Sequence, residues 1–183
     1  MRNEIRLSGS GGQGLITAGV ILAKAALLDG NLVTQTQSYG PESRGGASRA
    51  DVLISDEDVY FPEAVNLDVL MVLTQKACDK YLYDMKDTGI LIADNTQVKN
   101  ISLTSHNIYE MPVTEIATEK LGTVLPTNIL SLSYLVKITG IVTPESLRKA
   151  IRDTVKPAYV ELNLKAMKLG MKLAEKSQQE TER

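Results

Sequence analysis

Two glycine-rich stretches contain the residues with chemistry to offer. The first is Gly9-Ser10-Gly11-Gly12-Gln13-Gly14, with four glycines in six residues. That density costs too much chain entropy inside a strand or helix, so the stretch must be a loop. It lies between a strand-like run, Ile5-Arg6-Leu7-Ser8, and an apolar helix from Leu15 to Leu28. A strand, a glycine turn and a helix together form a phosphate-binding arrangement, because the helix N-terminus offers free N–H groups and a partial positive charge. The second stretch is Ser38-Tyr39-Gly40-Pro41-Glu42-Ser43-Arg44-Gly45-Gly46. Gly-Pro and Gly-Gly punctuate turns. A turn alone does not require the tyrosine, carboxylate and guanidinium between them. Arg44, flanked by small residues, can approach an anion and hold it through two parallel hydrogen bonds. Tyr39 can stack or donate a hydrogen bond. Plainer readings stay open for both: a tight turn that lets the helix pack on its sheet, and a surface loop whose Glu42 and Arg44 make a weak ion pair.

The same spacing excludes some chemistry. Gly9 to Gly14 formally matches the dinucleotide pattern, which also expects an acidic residue about 20 positions on, at the end of the second strand. That strand, Leu32 to Gln37, has none; Asp29 precedes it and Asp51 comes far after. NAD and FAD are therefore disfavoured. A P-loop needs Lys and Ser/Thr where Leu15 and Ile16 stand, which argues against ATP or GTP hydrolysis. One cysteine, Cys78, cannot form an intrachain disulfide or hold an iron–sulfur cluster, which takes about four ligands. With a single histidine, His106, a Cys/His zinc site is excluded too. Cys78 reads as a packing or surface residue, His106 as a loop residue, and Asp56-Glu57-Asp58 as a solvated turn. There is no Ser/His/Asp signature.

The elements that must position the two loops follow from length and periodicity. A chain of 183 residues, 43% hydrophobic and 23% charged, fits one globular domain, read as residues 1–176 with a frayed polar tail at 177–183. Formal net charge is −2, from 20 Lys+Arg and 22 Asp+Glu, so no basic excess marks a nucleic-acid binder. No apolar run approaches the roughly 20 residues of a membrane span, and no signal sequence is recognisable. The expected compartment is the cytoplasm. Strands are predicted over Leu32 to Gln37, Ser48 to Ile54, Leu67 to Leu73, Gly89 to Asp94 and Asn107 to Met111, with a helix from Gln75 to Lys86. The last third is helical: Val113 to Leu121, Thr127 to Thr139, a helix starting at Thr143-Pro144-Glu145, and a final one from about Pro157 to Lys176. Strands alternating with helices predict a three-layer α/β/α fold around a central, mixed sheet. Both glycine loops follow strands. If those strands are parallel neighbours, the loops meet at one edge of the sheet, where α/β proteins bind ligands.

In this order the two loops resemble those of the gamma subunits of 2-oxoacid:ferredoxin oxidoreductases. The resemblance rests on Gly9 to Gly14, the helix with Ala18-Gly19, the block from Gln35 to Asp51, and the Thr127-Asn128 helix with its Thr139-Gly140 ending. It implies a non-autonomous subunit of a complex that oxidatively decarboxylates a 2-oxoacid to an acyl-CoA and passes electrons to ferredoxin. Free-standing gamma chains with this second loop look most similar to the 2-oxoglutarate type. Coenzyme A is then a co-substrate of the complex. Thiamine diphosphate with Mg, and the iron–sulfur clusters, are expected on partner subunits, because this chain has neither the Gly-Asp-Gly motif of the former nor the cysteines of the latter. The implied partners are those thiamine-diphosphate-binding and cluster-binding chains, with a homodimer possible for the isolated chain. The implied binding residues are Gly9, Gly11, Gly12, Gln13, Gly14, Ser38, Tyr39, Gly40, Pro41, Glu42, Arg44, Gly45 and Gly46. The alternatives are a purely structural subunit whose loops only pack against partners, and an independent nucleotide-binding protein.

Overall fold

The computed structural model describes residues 2–38, 47–58, 61–102 and 107–181. In chain order the elements are β1 (Arg2–Ser10), α1 (Leu15–Leu28), β2 (Leu32–Ser38), β3 (Ala47–Ser55), β4 (Leu67–Val72), α2 (Gln75–Tyr81), a 3-10 turn (Leu82–Asp84), β5 (Met85–Asp94) and β6 (Asn107–Met111). Helices α3 (Val113–Leu121), α4 (Thr127–Thr139) and α5 (Pro144–Thr154), a 3-10 turn (Pro157–Tyr159) and α6 (Val160–Thr181) complete it. One six-stranded sheet runs in the order β2-β3-β1-β4-β5-β6. β1, β4, β5 and β6 are parallel, while β3 runs antiparallel to both β1 and β2. The expected mixed sheet is therefore present. β2 is parallel to β1 but not its neighbour, because β3 occupies the place between them.

The sheet has two unlike faces. On one, Ile5, Leu7, Val52 and Met71 meet α1 and the four C-terminal helices. α1 lies close to the strands because Gly19 faces β3, where a Cβ would stand 2.7 Å from that of Ala50. α4 is buried from Thr127 through Val136 and is sandwiched under α6. Gly170 permits that crossing, since a Cβ there would run into the Leu130 carbonyl. The other face packs Leu53, Leu70, Val72 and Leu91 against α2 and its 3-10 turn. It also buries a charged group that the sequence reading did not single out. Arg6 and Asp51 are directly opposed on β1 and β3, and the guanidinium holds the carboxylate bidentately at 2.7 and 2.9 Å. Asp84, the Ala64 carbonyl and the Tyr81 ring, whose centroid lies 4.8 Å away, complete its shell.

Two local expectations differ from the structure. The helix after β4 ends at Tyr81, and the chain is already extended at Met85. Met85 pairs with Leu67 and Ile90 with Val69, so five residues of β5 answer two of β4 and a bulge results. This long-range pairing overrides the local helical pattern of Gln75 to Lys86. At the C-terminus, α6 runs through Thr181, past the expected helix end at Lys176. The Tyr134 hydroxyl donates to Ser177 Oγ at 2.9 Å and anchors that last stretch to α4.

Candidate functional site

The first glycine loop begins where β1 runs out. Gln13 organises it: its N–H donates to the Ser10 carbonyl at 3.3 Å, and its Oε1 accepts the Ser10 N–H at 2.7 Å. The Gln13 side chain thereby lies in the space that a Cβ at Gly9 would fill, which explains that glycine. Gly12 and Gly14 sit at φ +89° and +72°, in the left-handed region that glycine adopts without a steric penalty. Gly14 is also the N-cap of α1, with no side-chain capping bond, so the first N–H groups of that helix remain for a ligand. Its carbonyl accepts Asn128 Nδ2 at 2.9 Å, tying the loop to α4. Gly11 differs from the others. Its φ is not positive and nothing lies within 4 Å of a Cβ built there, so the fold itself does not require glycine at that position. A bare backbone facing open space suits close approach by another molecule.

The loop walls a cleft of about 380 Å³ at the carboxyl ends of the parallel strands. Ser10 ends β1 and Gln13 and Gly14 follow it, Thr74 follows β4 and Gln97 follows β5; Thr114 of α3, Thr127 of α4 and the Val124-Leu125 turn close it. α1 and α2 leave β1 and β4 toward opposite faces of the sheet, so the cleft sits at a topological switch point, where doubly wound sheets bind ligands. Four helices begin at its walls: α1, α2, α3 and α4. Three of these starts are already occupied. Thr74 Oγ1 accepts the Ala77 N–H at 3.3 Å. The buried Asp94 carboxylate accepts the Thr114 N–H at 3.3 Å and its hydroxyl at 2.5 Å, at the head of α3. At α4 the Thr127 and Ile129 N–H groups are taken by the backbone carbonyls of Val124 and Pro126, each at 3.1 Å, so the free positive end is that of α1. Among the described residues no charged side chain lines the cleft, and those that do line it would hold an anion by N–H, amide and hydroxyl dipoles.

On the other side of the same loop a smaller recess of about 240 Å³ is bounded by Ser10, Gly12, Gly14, Leu15, Ile16 and Ser48. The β1–β3 register opposes Ser10 to Ala47, and the β2–β3 register opposes Ser38 to Arg49. Ser38, which begins the second glycine stretch, and Ala47, which follows it, therefore lie at the same end of the sheet as the first loop. The structure brings Gly9, Gly11, Gly12, Gln13 and Gly14 together and places Ser38 at that edge. Tyr39, Gly40, Pro41, Glu42, Arg44, Gly45 and Gly46 lie outside the described residues, as does His106. Thr74, Gln97, Thr114 and Thr127 were not recognisable as site residues, because they converge from four separate connections. Asp94 did carry a signal, in that an Asp closing a strand before Asn-Thr is a common turn former.

The remaining single candidates are structural. Cys78 is buried against the sheet, and burial, with the Asp79 carboxylate second, pushes its thiol up to about 11, far from the range of a nucleophilic thiolate. Asp56, Glu57 and Asp58 are exposed. Among the described residues no three His, Cys, Asp or Glu side chains cluster as metal ligands, and no helix is long and apolar enough to cross a membrane.

Comparison with known proteins bears on this geometry. Residues 4–173 match the pyruvate ferredoxin/flavodoxin oxidoreductase family. The 2-oxoglutarate synthase subunit KorC of Methanocaldococcus jannaschii is 46% identical over 177 residues, which is 95% of this chain and 95% of the relative. The crystal structure of the gamma subunit of a keto/oxoacid ferredoxin oxidoreductase from Geobacter sulfurreducens superposes with a TM-score of 0.87 at 43% identity, covering 95% of this chain and 97% of that one. A 2-oxoglutarate:ferredoxin oxidoreductase from Magnetococcus marinus, with 2-oxoglutarate, coenzyme A and succinyl-CoA bound, shares the fold at a TM-score of 0.85 and 21% identity. There the match covers 95% of this chain but 31% of the longer one.

Proposed function

We infer the role of this chain from its family, since it belongs to the pyruvate ferredoxin/flavodoxin oxidoreductase family. Within that family we propose that it is the gamma-type subunit of a complex that oxidatively decarboxylates 2-oxoglutarate to its acyl-CoA and passes two electrons to ferredoxin. Relatives named as 2-oxoglutarate synthase subunits, similar in length to this chain, support that substrate. Thiamine diphosphate, on a partner subunit, supplies the carbon chemistry. The clusters that take up the electrons belong to partners as well, because the only cysteine of this chain is buried Cys78.

The contribution of this chain is to bind and orient an anionic group of a substrate. The observation that carries this reading is the bare backbone of Gly12 in the wall of a donor-lined cleft with no charged side chain among its described lining residues, with Gly11 beside it in the same loop. The N–H groups that open α1 and the Gln97 amide suit the phosphates of coenzyme A or a carboxylate of the oxoacid. Gln13 keeps the loop in shape, and Arg44, in the stretch joining Ser38 to Ala47, supplies the cation that the described lining residues lack. Steady-state kinetics of the reconstituted complex test this, with viologen reduction followed at varied coenzyme A and 2-oxoglutarate. Gln13→Ala and Arg44→Ala should each raise one KM or lower kcat/KM by tenfold or more, roughly the worth of one charge-assisted hydrogen bond. Unchanged kcat and unchanged KM for both substrates in both variants would refute it.

A further inference from the structure

The turn joining α3 to α4 is held firmly, yet it presents apolar side chains to water. Gly122, at φ +71°, ends α3 with its N–H on the Thr118 carbonyl at 3.1 Å. The Val124 carbonyl accepts both the N–H and the hydroxyl of Thr127, at 3.1 and 2.6 Å. The Leu125 N–H donates to Thr123 Oγ1 at 3.2 Å. The side chains on this braced turn nonetheless stand out: Val124 is 53% exposed and Leu125 68%. A rigid turn that holds two neighbouring apolar groups in solvent is suited to contact with another surface.

Leu125 stands on a ridge between two depressions. One is the polar cleft at the first glycine loop. The other is a groove of about 420 Å³ with Ile129, Val155, Tyr159 and Leu162 in its wall. Lys156 is on the rim of that groove; it is exposed, and no ion pair among the described residues takes its charge. Asn128 also lines the groove while its amide holds the Gly14 carbonyl, so groove and loop share a wall. We propose that this ridge and groove are the seat for the subunit that completes the active site: an apolar segment of it, bearing a carboxylate opposite Lys156, fills the groove, and Leu125 enters an apolar recess on that subunit. The proposal rests on the reading of the cleft as part of a shared active site. Whatever closes over Gln13 and Gly14 must also meet Val124 and Leu125, which border the same cleft. Apolar anchors at the centre with a charged rim are the usual division of labour in such contacts.

The test is assembly of the full complex from its subunits, with the dissociation constant of this chain measured at low and high salt. Leu125→Ser should weaken assembly by about tenfold or more, the scale of an anchor residue. Lys156→Glu should weaken it and flatten its salt dependence. The thermal midpoint of the chain alone should not move for either variant, because both side chains are exposed. An affinity unchanged by both substitutions overturns the proposal. Gln13→Ala, assayed in parallel, separates the two readings. Intact assembly of Leu125→Ser together with altered kinetics of Gln13→Ala removes the docking surface and leaves the site. Weakened assembly with unaltered kinetics of both Gln13→Ala and Arg44→Ala supports the docking surface and removes the site.

Discussion

Gly14→Ala should damage the chain in two separable ways, and the structure allows each to be sized. The first is conformational: Gly14 sits at φ +72°, and an L-residue there costs roughly 1–2 kcal/mol. The second is steric: the new Cβ would stand 2.6 Å from Asn128 Nδ2 and 3.1 Å from its Cγ. Asn128 is only 7% exposed, and moving it breaks its bond to the Gly14 carbonyl, a loss of about 1 kcal/mol, more if the buried amide finds no new partner. Together Gly14→Ala should cost about 2–4 kcal/mol. Asn128→Ala alone should cost about 1–2 kcal/mol, since the Gly14 carbonyl keeps its bond from the Ala18 N–H at 3.0 Å. In the double variant the clash is gone, and what remains is the backbone penalty plus the loss of the Asn128 bond counted once instead of twice. The double loss should therefore fall short of the sum by about 1 kcal/mol or more, beyond the few tenths by which independent sites deviate. Urea unfolding of the four proteins closes the cycle. Additivity within about 0.5 kcal/mol would refute the claim that Asn128 and Gly14 are mechanically coupled.

Two further outcomes are expected. Asp51→Ala strips Arg6 of a bidentate partner in the sheet interior and should destabilise by about 3–5 kcal/mol, the scale for breaking a buried pair from one side; a loss under about 1 kcal/mol by chemical denaturation would show that Asp84 and the Ala64 carbonyl suffice. Asp29 joins the end of α1 to the start of α5: burial raises its carboxyl, but bonds from Ser146 Oγ at 2.6 Å and from the N–H and hydroxyl of Thr143 at 2.6 and 2.8 Å outweigh that and hold it below the usual range. A depressed carboxyl contributes stability above its unfolded pKa of about 3.9, and that contribution is lost as pH falls through the lower folded value. Melting curves of wild type and Asp29→Asn should thus differ at pH 7 and converge below about pH 4, and a gap independent of pH would contradict the assignment.

The residues themselves declare what depends on near neighbours. Four glycines in six positions require a turn, and an apolar run of strand length such as Leu67 to Leu73 requires burial; the Thr143-Pro144 start announces α5 because a hydroxyl cap and a fixed φ act within one turn of helix. The glycine loop and the helix it opens were legible on these grounds. Tertiary structure decided which strands adjoin. β3 is inserted antiparallel between β1 and β2, and Met85 is drawn into β5 by pairing with Leu67. It also decided that Thr74, Gln97, Thr114 and Thr127, drawn from four different connections, would face Gln13 across one cleft, and that Arg6 would meet Asp51, 45 positions away. Spacing and propensity act over a few residues, whereas strand order and a shared cleft depend on burying both faces of one sheet at once. For that reason the loop could be read in advance, while its surroundings could not.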